Sequence, residues 1–172
     1  MILILIGKPC SGKTTARKYL ENKYAFKSVE ASDYVKKQMT LTKIESIESL
    51  FEKLGRDFVA RNILDDVQMD QNVLISGFRT LEEVNLLKEH YVCIVVGIHA
   101  DDRTCFERSK IRLRIGRYHD FSSFYVERIC RDYSLGLAEL MADHLDFSLY
   151  NSDSDLVEFY SQLDKLVGDI DG

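Results

Sequence analysis

A chain of 172 residues with a formal charge of −5 has room for one ordinary domain and lies below the size at which single cores usually split. Hydrophobic residues at 45%, charged residues at 30% and a single proline are globular proportions, which exclude a disordered or linker-like chain. The 28 acidic residues outnumber the 23 basic ones, so the broad basic surface of a non-specific nucleic-acid binder is disfavoured, while a local basic pocket stays open.

The longest apolar run, Met1 to Ile6, is too short to cross a bilayer, and no charged segment precedes it as a signal peptide requires. No membrane association is expected, and the location is expected to be the cytosol. The run reads as the first strand. Lys13 to Lys23 follows as the first helix, then strand candidates Phe26 to Glu30, Asn72 to Ser76, Tyr91 to Ile98 and Leu145 to Tyr150. Between the second and third strands, Ile47, Leu50, Leu54, Phe58, Ile63 and Val67 recur at helical spacing over Ile47 to Met69, with Gly55 as a candidate divider. Thr80 and Glu83 form a Thr-x-x-Glu capping box, which predicts a helix starting just after Arg79.

A further helix is expected over Arg103 to Leu113. From Phe121 to His144 the set Val126, Ile129, Cys130, Tyr133, Leu137, Leu140 and Met141 forms an apolar stripe that turns Arg128, Arg131 and Asp132 to another face. Ser152 and Asp155 cap a last helix. Strands alternating with helices predict βα units around a mostly parallel sheet covered on both sides. Cys10, Cys93, Cys105 and Cys130 are widely spaced and lack zinc-site spacing, so reduced, structural thiols are expected.

The strongest signal lies where the first strand ends. Gly7-Lys8-Pro9-Cys10-Ser11-Gly12-Lys13-Thr14 matches G-x-x-x-x-G-K-S/T at every fixed position and opens a helix. Four residues between the glycines let the backbone wrap a phosphate with its N–H groups inward, and the helix N-terminus favours an anion. Gly7 and Gly12 supply the unusual dihedrals, and Lys8, Pro9, Cys10 and Ser11 supply the wrap. Lys13 is placed for the β- and γ-phosphates, Thr14 for Mg²⁺, and Thr15 for the α-phosphate. ATP or GTP with Mg²⁺ is the ligand this pattern predicts; it does not name an acceptor.

With those residues in hand, the chain resembles the P-loop nucleoside monophosphate kinase group, and most closely the dephospho-coenzyme A kinase-like proteins, over nearly its whole length. Val29-Glu30-Ala31-Ser32-Asp33 is similar to the turn where adenylate kinases read Thr-Gly-Asp and begin their acceptor site. The resemblance puts Asp33 beside Mg²⁺ and the acceptor; a helix N-cap is the other reading. Ser76-Gly77-Phe78-Arg79-Thr80 is similar to Asp-Gly-Phe-Pro-Arg-Thr of adenylate kinases, and Arg79 matches a phosphate-binding arginine. Ser76 departs from the pattern, because the families carry there an Asp that holds Mg²⁺ through water. Either Asp33 carries that role alone, or catalysis is slow and nucleotide binding is the main task.

The same resemblance suggests Arg61 for an acceptor phosphate, with Arg56 as an alternative. It makes residues of about 112–122 a short lid whose Arg114 and Arg117 meet the transition state. Arg108 is placed on the adenine or α-phosphate side, and Asn151, in an ending similar to Ala-Asp-x-x-Ile-x-Asn-x-Gly-Ser, beside the base. The implied fold is a three-layer α/β/α P-loop domain over 1–172 with five parallel strands. The implied activity is transfer of the γ-phosphoryl group of ATP to a nucleotide or nucleotide-like small molecule. A slow NTPase or nucleotide-dependent binding protein is the alternative, and a kinase of nucleic-acid ends a further one.

Overall fold

The computed structural model describes residues 1–68, 71–111, 120–152 and 155–171. Its strands are β1 (Ile2–Ile6), β2 (Lys27–Glu30), β3 (Val73–Ser76), β4 (Cys93–His99) and β5 (Phe147–Tyr150). They form one all-parallel sheet in the order β2-β3-β1-β4-β5, which puts β1 in the middle. Side chains alternate across a strand, so β1 serves two cores. Ile2, Ile4 and Ile6 join Val29, Leu50, Phe58, Ile75 and Leu87 on one face, while Leu3 and Leu5 join Leu20, Leu74, Val96, Phe159 and Leu163 on the other.

The helices that cover those faces make the third and first layers of an α/β/α sandwich. α1 (Lys13–Tyr24) and α9 (Leu156–Asp171) cover one face; α2 (Ala31–Thr42), α3 (Ile47–Leu54), α4 (Phe58–Asp66) and α5 (Leu81–His90) cover the other. Phe58, Phe78, Phe124 and Phe159 are among the largest fully buried side chains. Burying each contributes about 1.5–3 kcal/mol. A smaller cluster of Ala100, Cys105, Phe106, Phe124 and Ile129 joins α6 (Asp102–Ile111) and α7 (Phe121–Phe124), with Cys10 packed against it.

Local chemistry explains most boundaries. Gly55, with φ of 90°, ends α3 and divides the predicted Ile47 to Met69 stretch. Thr80 accepts from the Glu83 N–H at 3.2 Å, and the Glu83 carboxylate accepts from the Thr80 N–H at 3.0 Å, completing the capping box of α5. The helix α2 turns Ala31 and Val35 into the core, with Tyr34 and Met39 packed beside them. Cys93 and Cys105 are buried, Cys130 is exposed and all four thiols are free. No helix among the described residues is long and apolar enough to cross a membrane.

The Phe121 to His144 stretch differs from its sequence reading. After α7 it runs through two π-helical segments, Tyr125–Cys130 and Tyr133–Leu137, before α8 (Ala138–Asp143), and Gly136 at φ 121° breaks it. The wider turns carry extra residues and slide the stripe around the axis. Val126 is therefore 62% exposed and Cys130 exposed, whereas Asp132, expected on the outer face, is buried. A side chain at Gly136 would press on the Arg79 carbonyl oxygen at 3.0 Å, so the kink lets this segment approach the end of β3.

Candidate functional site

The site gathers at the C-terminal edge of the sheet, where open α/β sheets bind ligands. The loop between β1 and α1 sits at its centre. Cys10 holds φ 65° and Gly12 φ 118°, so the backbone alternates in hand, the conformation from which an anion-binding nest of amides is built. Position 12 needs glycine twice over, because a Cβ there would also collide with the Asn151 amide nitrogen. Asn151, just past β5, donates to the Ser11 carbonyl at 2.8 Å, and Arg108 on α6 reaches both Ser11 O at 3.5 Å and the Asn151 oxygen at 3.3 Å. Both residues thus brace the loop from behind.

Lys13 spans the loop, its Nζ donating to Gly7 O at 2.6 Å and Lys8 O at 2.8 Å. Burial, and after it the Arg79 guanidinium, pull its ammonium down to about 8 from an ordinary 10.5, against the pull of Asp132 and Glu30. An ammonium so placed gains from a nearby anion. Ser11 Oγ is buried beneath the loop with no hydrogen-bond partner among the described residues, an orphan that a phosphate oxygen suits. Lys8 points elsewhere, to Asp102 at 2.5 Å and Ala100 O at 3.5 Å.

Across the site, Arg79 follows β3 and is fixed at both ends. Its N–H donates to Glu83 at 2.8 Å, and its Nε to Asp132 at 3.3 Å. Burial holds the Glu83 carboxyl up at about 7, opposed by the Arg79 and Thr80 N–H groups. Asp132, only 4% exposed, also accepts from Arg131 at 3.3 Å. Sequence reasoning missed Asp132, since the π turns that bury it leave no periodic signal. Glu30, at the end of β2, accepts from Ser76 Oγ at 2.7 Å. An acid ending a strand beside a serine that ends the next was the available sign, but only the sheet order makes them neighbours.

The remaining candidates are dispersed. Asp33 lies on exposed α2 surface, paired with Lys36 at 2.8 Å. Arg61 folds back on Asp57 at 2.8 Å and on the Leu54 carbonyl, and Arg56 pairs with Glu82 at 2.9 Å and with the Leu135 carbonyl. Arg114 and Arg117, with most of the expected lid, lie outside the described residues. Among the described residues no three His, Cys, Asp or Glu side chains gather into a metal cage. A cation here would be held through hydroxyls, water and its ligand's oxygens, as suits Mg²⁺.

Comparison with known proteins agrees with this geometry. A family model described as an AAA domain matches residues 3–120. A UPF0200 protein of Methanococcus maripaludis (strain C6) is 32% identical over 155 residues, covering 82% of this chain and 84% of its own. An adenylate kinase of Wigglesworthia glossinidia brevipalpis is 28% identical over 114 residues, covering 63% of this chain and 54% of its own. The shikimate kinase of Bacteroides thetaiotaomicron superposes with a TM-score of 0.65 at 16% identity, covering 100% of this chain and 99% of that one, a likeness of fold. A central strand feeding a phosphate-type loop and a family match that runs through that strand, the loop and the sheet as far as β4 together show that the chain belongs to the AAA domain family and its UPF0200 relatives, as a P-loop nucleotide kinase-like protein.

Proposed function

We propose that this chain is a phosphotransferase that moves the γ-phosphoryl group of ATP, or of GTP, to a nucleotide or nucleotide-like small molecule. The observation that carries the reading is the Lys13 bridge across the left-handed turns of the loop, above the orphaned Ser11 hydroxyl. Mg·ATP, when bound, would supply the transferable phosphoryl group and a divalent charge to offset its negative charge. Residues 7–15 cradle the phosphates, Lys13 exchanges its two carbonyl partners for phosphate oxygens, and the Thr14 hydroxyl serves the metal. Arg108 and Asn151 keep the loop in shape.

Arg79 holds the acceptor's phosphate or hydroxyl side, pre-oriented by Glu83 and Asp132, so the reacting groups meet with little reorganisation. Arg114 and Arg117 are assigned from sequence to close over the transferring group, within a single domain whose lid is about 112–122. Arg61 and Asp33 join only if closure carries them inward from their present ion pairs.

The test is a panel of Mg·ATP with nucleoside monophosphates, dephospho-coenzyme A and 5′-hydroxyl oligonucleotides, read as ADP release. Release with one small-molecule acceptor is expected. Equal slow release with every acceptor and with none would instead establish an NTPase, and release with oligonucleotides alone a nucleic-acid-end kinase. In parallel, ATP at a hundredfold excess over Kd should stabilise the fold by about 2.7 kcal/mol. Lys13→Ala should lose most of that shift in Tm; an equal shift in both proteins would overturn the reading.

A further inference from the structure

We infer that Glu30, at the end of β2, is the carboxylate that holds the water shell of the nucleotide's Mg²⁺. The inference rests on the nucleotide-binding reading above. Parallel pairing sets Glu30 beside Ser76, whose other neighbour on β1 is Leu5, so a single strand, β3, lies between Glu30 and the strand that opens the phosphate loop. Ser76 Oγ donates to Glu30 Oε2 at 2.7 Å. A serine oxygen branches from Cβ as an aspartate's carboxyl does, so Glu30 delivers its oxygen to within one hydrogen bond of the place an acid at position 76 would occupy. The neighbouring strand supplies the charge that Ser76 lacks.

Three observations separate Glu30 from an ordinary structural acid. It is the N-cap residue of α2, yet its side chain caps no helix N–H. It makes no ion pair among the described residues, whereas Asp33 is spent on Lys36 and Asp132 on Arg79 and Arg131. Its carboxylate fits closely against Gly77, where a Cβ would stand 3.0 Å from Oε1, and its charge reaches Lys13. A partly buried carboxylate without a cation, held by a hydroxyl beside a phosphate-binding lysine, is completed by a hydrated divalent ion. Residues that orient a metal's shell this way typically change its affinity about 10–100-fold when replaced.

Calorimetry of ATP binding with Mg²⁺ and with EDTA tests this on the whole chain. The wild type should prefer Mg·ATP, and Glu30→Gln should reduce that preference at least about tenfold. Metal-free ATP should bind Glu30→Gln more tightly, because a negative charge facing the phosphates is gone. A purely structural acid would weaken both forms equally, and that result would overturn the role of Glu30. So would loss of the Mg²⁺ preference in Asp33→Asn with Glu30→Gln unaffected. Should Glu30→Gln fail to fold, Ser76→Ala leaves the carboxylate in place but unheld, and the same preference should fall; an unchanged preference there overturns the role. A wild type that binds ATP in neither medium would overturn the nucleotide reading itself.

Discussion

The two halves of the site, the loop after β1 and the sheet edge that faces it, are built in opposite ways. The loop of residues 7–14 is local: Lys13 bonds to carbonyls five and six residues back, and Ser11 N–H to Lys8 O at 3.2 Å. Opposite it, Ser76 meets Glu30 and Arg79 meets Asp132 across 46 and 53 residues of sequence. A local device depends on backbone dihedrals, which a short string of residue types can specify. A distant one depends on strand order and helix register, which no short string contains.

If that contrast holds, the halves should fail separately. The largest effect is expected at Gly12, where φ of 118° and the Asn151 side chain both reject a Cβ. Gly12→Ala should cost about 1–3 kcal/mol in stability and abolish the ATP-induced rise in Tm. A variant that binds ATP normally would mean the loop is not held as described.

Arg79→Ala should act chiefly on the other half. Losing a charged hydrogen bond of about 1.5–3 kcal/mol should raise the KM for whichever acceptor the panel identifies by roughly 10–100-fold, while the Kd for ATP moves by no more than a few-fold. Equal losses on both sides would break the distinction between the halves. Arg131 remains to pair with Asp132 in this variant, so the fold should survive.

The third test sharpens the electrostatics of Lys13. Its folded pKa of about 8 lies below the ordinary 10.5, so in the free protein half of the ammonium has lost its proton by about pH 8 and most of it above that. The unfolded chain still holds that proton, so this group makes stability rise between pH 8 and 10.5, and its burial is a cost at neutral pH. Phosphate favours the ammonium, hence ATP binding above pH 8 should take up a proton and weaken by up to about tenfold per pH unit. Calorimetry at pH 7 and 9, in buffers of different ionisation enthalpy, measures both; pH-independent binding without proton uptake would remove Lys13 from the phosphate contact.

The order of strands and helices, the capping box at Thr80 and the break at Gly55 were legible in the sequence because each has a local cause. The stripe of the Phe121 to His144 segment was not, because π turns change the period without a compositional mark. Arg61 and Asp33 carried the residue types an acceptor site needs, yet their near neighbours Asp57 and Lys36 satisfy them first. The place of Arg79, three residues past β3 at the sheet edge where the loop also opens, was legible because the strand before it and the capping box after it both have local signals.

By itself, then, the sequence determined a parallel α/β domain with a phosphate-wrapping turn, since glycines at 7 and 12 and a lysine at 13 dictate the backbone they need. Which acids face that turn was decided only by tertiary structure. Sheet order brought Glu30 to Ser76, and a wound-out, kinked helix carried Asp132 inward to Arg79, because charges separated by half a hundred residues become neighbours only through the packing of the elements that hold them.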